Sequence, residues 1–162
     1  MFLHIRDKIN NRADLDKRLL LWRFKEEKIV FTNGCFDILH YGHIHYLAAA
    51  KQLGDRLIIG LNSAASVKRL KGSHRPINDD LTRQYLLASL LFVDAVIEFE
   101  EDTPYQLIQW IQPDILVKGG DWKVTDIVGS ELVLQKGGLV KSLPFVEGYS
   151  TTAIEWKIKG GA

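Results

Sequence analysis

Five short apolar runs, each separated from the next by a stretch of helical period, leave this chain few folds to adopt. The runs are KIVFTNG (28–34), RLIIGLN (56–62), DAVIEFE (94–100), DILVKGG (114–120) and GLVKSLPF (138–145). Each is short, rich in Val, Ile, Leu or Phe, and bounded by Gly, Asn, Asp or Pro, as strands are. Helices are expected between them. His43 to Leu53 keeps Ile44, Leu47 and Ala48 on one side and meets Gly54 as a stop. Asp79 to Leu91 opens on Asn78-Asp79-Asp80, a capping sequence with acids in the first turn. Thr103 to Ile111 offers a threonine N-cap with Pro104 at the first helical position. Ser130 to Lys136 runs into Gly137-Gly138, Ser150 to Lys157 closes the series, and Ala13 to Lys25 precedes it. Alternation of this kind predicts an α/β fold: a doubly wound, Rossmann-like parallel sheet of about five strands with helices on both faces.

The 162 residues suit a single domain, with 1–27 as an N-terminal helical segment and 28–162 as the main body. The formal net charge of +1 offers no basic surface for a nucleic acid, so small-molecule chemistry is expected instead. Cys35 is the only cysteine, which excludes an intramolecular disulfide and fits a reducing cytoplasm. The N-terminal MFLHIRDKINNR lacks a signal-peptide core. The longest apolar stretch, Leu86 to Ile97, is broken by Ser89 and Asp94 and is too short to span a bilayer. The expectation is a cytoplasmic protein without nucleic-acid or membrane partners.

In an open parallel sheet, ligands bind beyond the carboxyl ends of the strands. Neither the dinucleotide fingerprint nor the P-loop pattern is present, so any nucleotide is held by other means. The first strand ends in TNGCFDILHYGH, which places three of the five histidines, His40, His43 and His45, within six residues. Gly34 and the small Cys35 let backbone approach a ligand closely, and Asp37 sets an acid at the same rim. His40 and His43, around Gly42, fall at a helix N-terminus whose free N–H groups and dipole favour an anion. Two imidazoles there suit stabilisation of charge in phosphoryl or nucleotidyl transfer. The competing reading is a metal held by the three histidines with Asp37. One cysteine and no second ligand cluster speak against structural zinc, and no metal ligand is assigned. His45, two residues past His43, turns to another face and reads as structural. His4 and His74 read as ordinary surface histidines.

Taken together, TNGCFD…HYGH and Tyr149-Ser150-Thr151-Thr152 resemble the two signatures of the cytidylyltransferase-like nucleotidyltransferases, H-x-G-H and ISTT, in the right order. GLNSAASVKRLKG, RPIN, VKGGDW and PFVEGYSTTAI are similar to one branch of that superfamily, the bacterial heptose 1-phosphate adenylyltransferases. The likeness covers roughly Lys28 to Ile158. In many bacteria this domain is fused to a sugar kinase; here it looks like a stand-alone unit.

The resemblance implies a fold of the H-x-G-H type and a set of roles. His40, His43 and Lys68 are the expected catalytic residues. Thr32, Asn33, Gly34, Cys35, Phe36, Gly42 and Asn62 are expected around the nucleotide, with Arg83 near the triphosphate. Lys118, Gly119, Gly120 and Asp121 would meet base and ribose, and Ser150, Thr151 and Thr152 the outer phosphates. Asp37 would face the acceptor or a metal, with Lys71 as a second basic contact.

Each has a plainer reading: basic clusters usually face water, Gly-Gly is a common turn, and Ser or Thr caps helices. The arginine that related cytidylyltransferases carry before the second motif is replaced here by Phe145-Val146-Glu147. The glycines before Asp121, with no second acid, suggest an open wall suited to adenine.

The activity implied is transfer of AMP from ATP, with Mg²⁺, to D-glycero-D-manno-heptose 1-phosphate, giving ADP-heptose for lipopolysaccharide or another surface glycan. The alternatives are a cytidylyltransferase acting on glycerol 3-phosphate or a phosphorylated amino alcohol, and a nucleotide-binding sensor without turnover. A homodimer is expected, with LDKRLLLWRF (15–24) as an apolar interface face. Trp22, Trp110 and Trp156 read as core or interface.

Overall fold

The computed structural model of the protein describes residues 2–160. Met1 and residues 161–162, the outer ends of the two expected segments, lie outside them. The five apolar runs are strands: β2 (Ile29–Gly34), β3 (Arg56–Asn62), β4 (Ala95–Phe99), β5 (Ile115–Gly119) and β6 (Leu139–Leu143). Their side chains alternate between two cores. Ile29, Phe31, Ile58, Ala95, Ile97 and Leu116 enter one, and Val30, Leu57, Ile59, Leu61, Val96 and Val117 the other. Burial on both faces explains why these runs are apolar throughout rather than alternating with polar residues.

The sheet has six parallel strands rather than about five. The extra one, β1 (Ile9–Asn10), pairs with β4 at the edge, giving the order β1-β4-β3-β2-β5-β6. The segment 1–27 is therefore not purely helical. It holds α1 (Phe2–Asp7), then β1, then α2 (Arg12–Phe24), whose Leu15, Leu19 and Trp22 are buried in the first core. Much of the apolar face expected to meet a second copy is thus covered by the chain itself. Leu20, Leu21 and Phe24 remain exposed.

The other helices are α3 (Tyr41–Lys51), α4 (Ala64–Lys71), α5 (Asp80–Ala88), α6 (Tyr105–Ile111), α7 (Ser130–Gln135) and α8 (Thr151–Ile158). The helix expected from His43 begins two residues earlier, with His40 at its N-cap. That from Thr103 begins at Tyr105 with Pro104 as the cap. Helix α4 has no counterpart in the sequence reading, which left the SVKRLKG run as a basic cluster. Its start is fixed by the Ser63 side chain, which accepts from Ser66 N at 3.2 Å.

The N-terminal end of the sheet is closed by ion pairs. Arg56 pairs with Glu27 at 2.8 Å and Asp94 at 3.1 Å, and Lys51 with Asp94 at 2.6 Å. The strand order changes direction between the parallel neighbours β2 and β5, so the opposite end opens a crevice there.

Candidate functional site

That crevice is a cleft of about 530 Å³ over the carboxyl ends of β2, β3 and β5. Of the residues expected there, Asn33, Gly34, Cys35, Phe36, Asp37, His43, Asn62, Lys71, Lys118, Gly119 and Thr151 line it. His40 and Ser150 line a smaller neighbouring cavity of about 290 Å³ with Tyr41, Gly148, Tyr149 and Lys157. A third depression, about 440 Å³ beside Asn10, Arg12 and Trp110 at the far edge of the sheet, contains none of the expected residues.

The two motif histidines are in contact. Their rings stack with centroids 3.9 Å apart, and Phe36 meets the His43 ring edge-on at 5.5 Å. Gly42 eases their close approach, because a Cβ there would lie 3.1 Å from the His40 ring and 3.2 Å from Tyr149 Cβ, tighter than ordinary contact. Nδ1 of both imidazoles is buried without a hydrogen-bond partner. Unpaired buried polar atoms are costly, and at the N-terminus of α3 these two are available to a ligand. Burial lowers the pKa of both. For His43, with the neighbouring His40 and Lys71 adding to it, the value falls to about 4.

This has a measurable consequence. Between about pH 6.5, the value of a free histidine, and pH 4, the unfolded chain binds more protons at His43 than the folded one. His43 therefore costs stability as pH falls through that window. Melting temperature should drop more steeply from pH 6.5 to 4 in the wild type than in His43→Asn. Parallel curves would contradict the burial argument.

Two cations border the cleft without a carboxylate partner among the described residues: Lys71, at the end of α4, and Lys118, at the end of β5. Lys118 is half-buried, and desolvation lowers its pKa, so an anionic ligand would relieve it. Lys68, the expected catalytic lysine, is exposed on α4 and is not part of the cleft lining. Once SVKRLKG is a helix, its last turn, Leu70 and Lys71, is what reaches the cleft. Arg69 is spent on Asp102 at 2.7 Å.

Four other expectations are corrected. Arg83 does not reach a triphosphate: it is fully buried, donating from Nη1 to Cys35 O at 2.7 Å and Asn62 O at 2.8 Å and pairing through Nη2 with Asp80. It clamps the ends of β2 and β3 from beneath. Asp37 borders the cleft, but its oxygens accept from Ile77 N at 2.8 and 2.9 Å, Asn78 N at 2.9 Å and Arg75 at 2.5 Å. Burial alone would raise its pKa, but those donors outweigh it and hold the carboxyl below its ordinary value. It is therefore not free to ligate a metal or face an acceptor. Thr32 lies beneath the floor, bonded to the Tyr46 hydroxyl. The glycine wall is not open: Phe145 and Trp122 cover it, with Phe145 Cε1 2.9 Å from where a Gly119 Cβ would be.

Gly120 turns the chain at φ 115°, which few residues other than glycine adopt. Asp121 and Thr152 are exposed outside the cleft lining, and Asn62 is buried at the floor, donating to Ser66 Oγ at 3.0 Å. Trp122 and Phe145 were missed as site residues. The signal for them was the parallel register Gly119↔Leu143, which brings GGDW and PF side by side.

Helix α8 supplies the second motif. Ser150 caps it, accepting from Ala153 N at 3.0 Å, and Thr151 turns into the cleft. Stacked imidazoles, two lysines and two helix N-termini thus gather at and beside one strand-end cleft, an arrangement chemically able to hold phosphate groups.

Comparison with known proteins agrees. The Cytidylyltransferase-like family model matches residues 31–155. The chain is 62% identical over 128 residues to the bifunctional protein HldE of Nitratiruptor sp., covering 79% of this chain and 27% of that protein. It is 53% identical over 154 residues to the bifunctional protein HldE of Wolinella succinogenes, covering 95% and 32%. The chain thus spans about a third of the length of the curated relatives it matches. Among solved structures, the lipopolysaccharide core biosynthesis protein from Thermoplasma volcanium GSS1 matches with a TM-score of 0.59 and 33% identity, over 76% of this chain and 99% of that one. The chain belongs to the cytidylyltransferase-like family. Among the described residues no helix is long and apolar enough to cross a membrane.

Proposed function

We propose that this protein transfers AMP from ATP to D-glycero-D-manno-heptose 1-phosphate, releasing pyrophosphate and forming ADP-heptose for a surface glycan. The observation that carries the reading is the stacked pair His40–His43, with both Nδ1 atoms unpaired, at the helix terminus beside Lys71, Lys118 and Thr151. Similarity to HldE and to a lipopolysaccharide core biosynthesis protein supports the choice of acceptor.

The acceptor's phosphate oxygen attacks the α-phosphorus in line, the bond from α-phosphorus to the bridging oxygen breaks, and the electron pair leaves with pyrophosphate. No covalent enzyme intermediate is needed, since a phosphate monoester dianion is nucleophile enough. Catalysis is positioning and charge stabilisation. The imidazoles of His40 and His43 donate to phosphate oxygens as charge builds. Lys71, Ser150 and Thr151 hold the departing pyrophosphate. Lys118 draws the anion towards β5, and Phe145 and Trp122 offer flat faces to the adenine.

Among the described residues no three metal-ligating side chains cluster, and Asp37 is already occupied. In this reading Mg²⁺ enters as the chelate of ATP, as part of the substrate. The reading includes a cytoplasmic setting, residues 28–162 as the nucleotidyltransferase unit, and a homodimer that uses the exposed Leu20, Leu21 and Phe24. The test is pyrophosphate release from ATP and from CTP with each acceptor phosphate.

A further inference from the structure

Helix α8 brings its phosphate-facing N-terminus to the cleft, yet none of its residues is buried. An ion pair helps to seat it. Arg75, in the loop between α4 and α5, donates from Nη1 to Asp37 Oδ2 at 2.5 Å and pairs through Nη2 with Glu155 on α8. The Arg75 side chain is 15% exposed, Asp37 2% and Glu155 24%, so the three charges form one half-buried row.

Asp37 lies in the loop that carries His40, and it is itself fixed by Ile77 N and Asn78 N. Asn78 Nδ2 also donates to Asp37 O at 2.5 Å. The loop holding the first motif, the loop before α5 and the helix holding the second motif therefore meet at one guanidinium. Arg serves both carboxylates because its planar fork presents separate donors, Nη1 to one and Nη2 to the other, where a lysine offers a single nitrogen.

We propose that Arg75 is a positioning residue that clasps α8 to the histidine loop through Glu155, setting the spacing between His40–His43 and Ser150–Thr151 and releasing α8 to admit or discharge the polyphosphate. The inference rests on the proposed nucleotide site for its ligand. A helix with no fully buried residue, whose one ion pair among the described residues is that with Arg75, is the kind of element that opens locally without global unfolding.

The test uses the full chain with Glu155→Ala and Glu155→Gln, since Glu155 touches no proposed substrate group. Amide hydrogen exchange in 153–158 should quicken by about tenfold in Glu155→Ala, with Glu155→Gln between it and wild type and the core strands unchanged. By calorimetry, ATP should bind about tenfold more weakly to Glu155→Ala, while AMP, lacking the outer phosphates, should change by less than about twofold. Unchanged exchange in α8 would overturn the proposal, because that measurement needs no nucleotide. Equal weakening of ATP and AMP, or none of either, would overturn it as well. A wild-type chain that transfers nothing to heptose 1-phosphate yet shows the exchange difference would remove the acceptor assignment and leave the clasp standing.

Discussion

Replacing His43 with alanine should lower turnover by about 10²–10³-fold, the usual cost of removing one donor aimed at developing charge. The ring lies against Phe36 and stacks on His40 at 3.9 Å, and its Nδ1 has no protein partner. Among the described residues none takes up the Nδ1 of this imidazole, so in the proposed reaction its truncation removes an interaction made with the ligand. The loss should fall on kcat more than on KM for ATP, since the charge it meets is greatest in the transition state. Circular dichroism and the melting curve at pH 8 should be close to wild type. Near-normal turnover would make the stacked pair a packing feature and return the site to the lysines alone.

The second large effect is on stability. Arg83→Ala should cost about 3–5 kcal/mol in urea unfolding, because it empties a large buried volume and strands two carbonyls. Cys35 O and Asn62 O both take hydrogen bonds from Nη1, and the side chain has no solvent exposure. The Asp80 carboxylate loses its partner too, though it is partly exposed and can hydrate. Since Arg83 holds the ends of β2 and β3, the cleft floor should loosen with it. A loss below about 1 kcal/mol together with collapsed turnover would instead restore the direct triphosphate contact expected from the sequence.

These two residues show where sequence is informative and where it stops. The place of His43 at the cleft was legible because its neighbours announce it: an apolar strand, a glycine turn and a helix start are all local. Strands β2 to β6 were legible for a similar reason, as their residues feed cores on both faces. Strand β1 was not, because two residues carry no period and are a strand only by pairing with Val96 and Ile97. Arg83 was misread because a helix charge facing solvent and one tucked under a distant loop look alike in sequence. Its partners lie 48 and 21 positions away. Asp37 follows the same logic: its place at the strand end was visible, but its occupation by Ile77 N and Asn78 N, 40 and 41 positions on, was not. The glycine wall failed by omission. Removing side chains at Gly119 and Gly120 makes room, and whether ligand or neighbour fills it depends on β6, which brings Phe145 over the turn.

The most direct test of the account is the initial rate of pyrophosphate release for ATP and CTP, each with heptose 1-phosphate and with glycerol 3-phosphate. A cleft that pairs with one base leaves buried groups unpaired with another, at about 1–3 kcal/mol for each lost partner. ATP with heptose 1-phosphate should therefore exceed every other pair by about tenfold or more. CTP with glycerol 3-phosphate as the fastest pair, or no release with any pair, would contradict it.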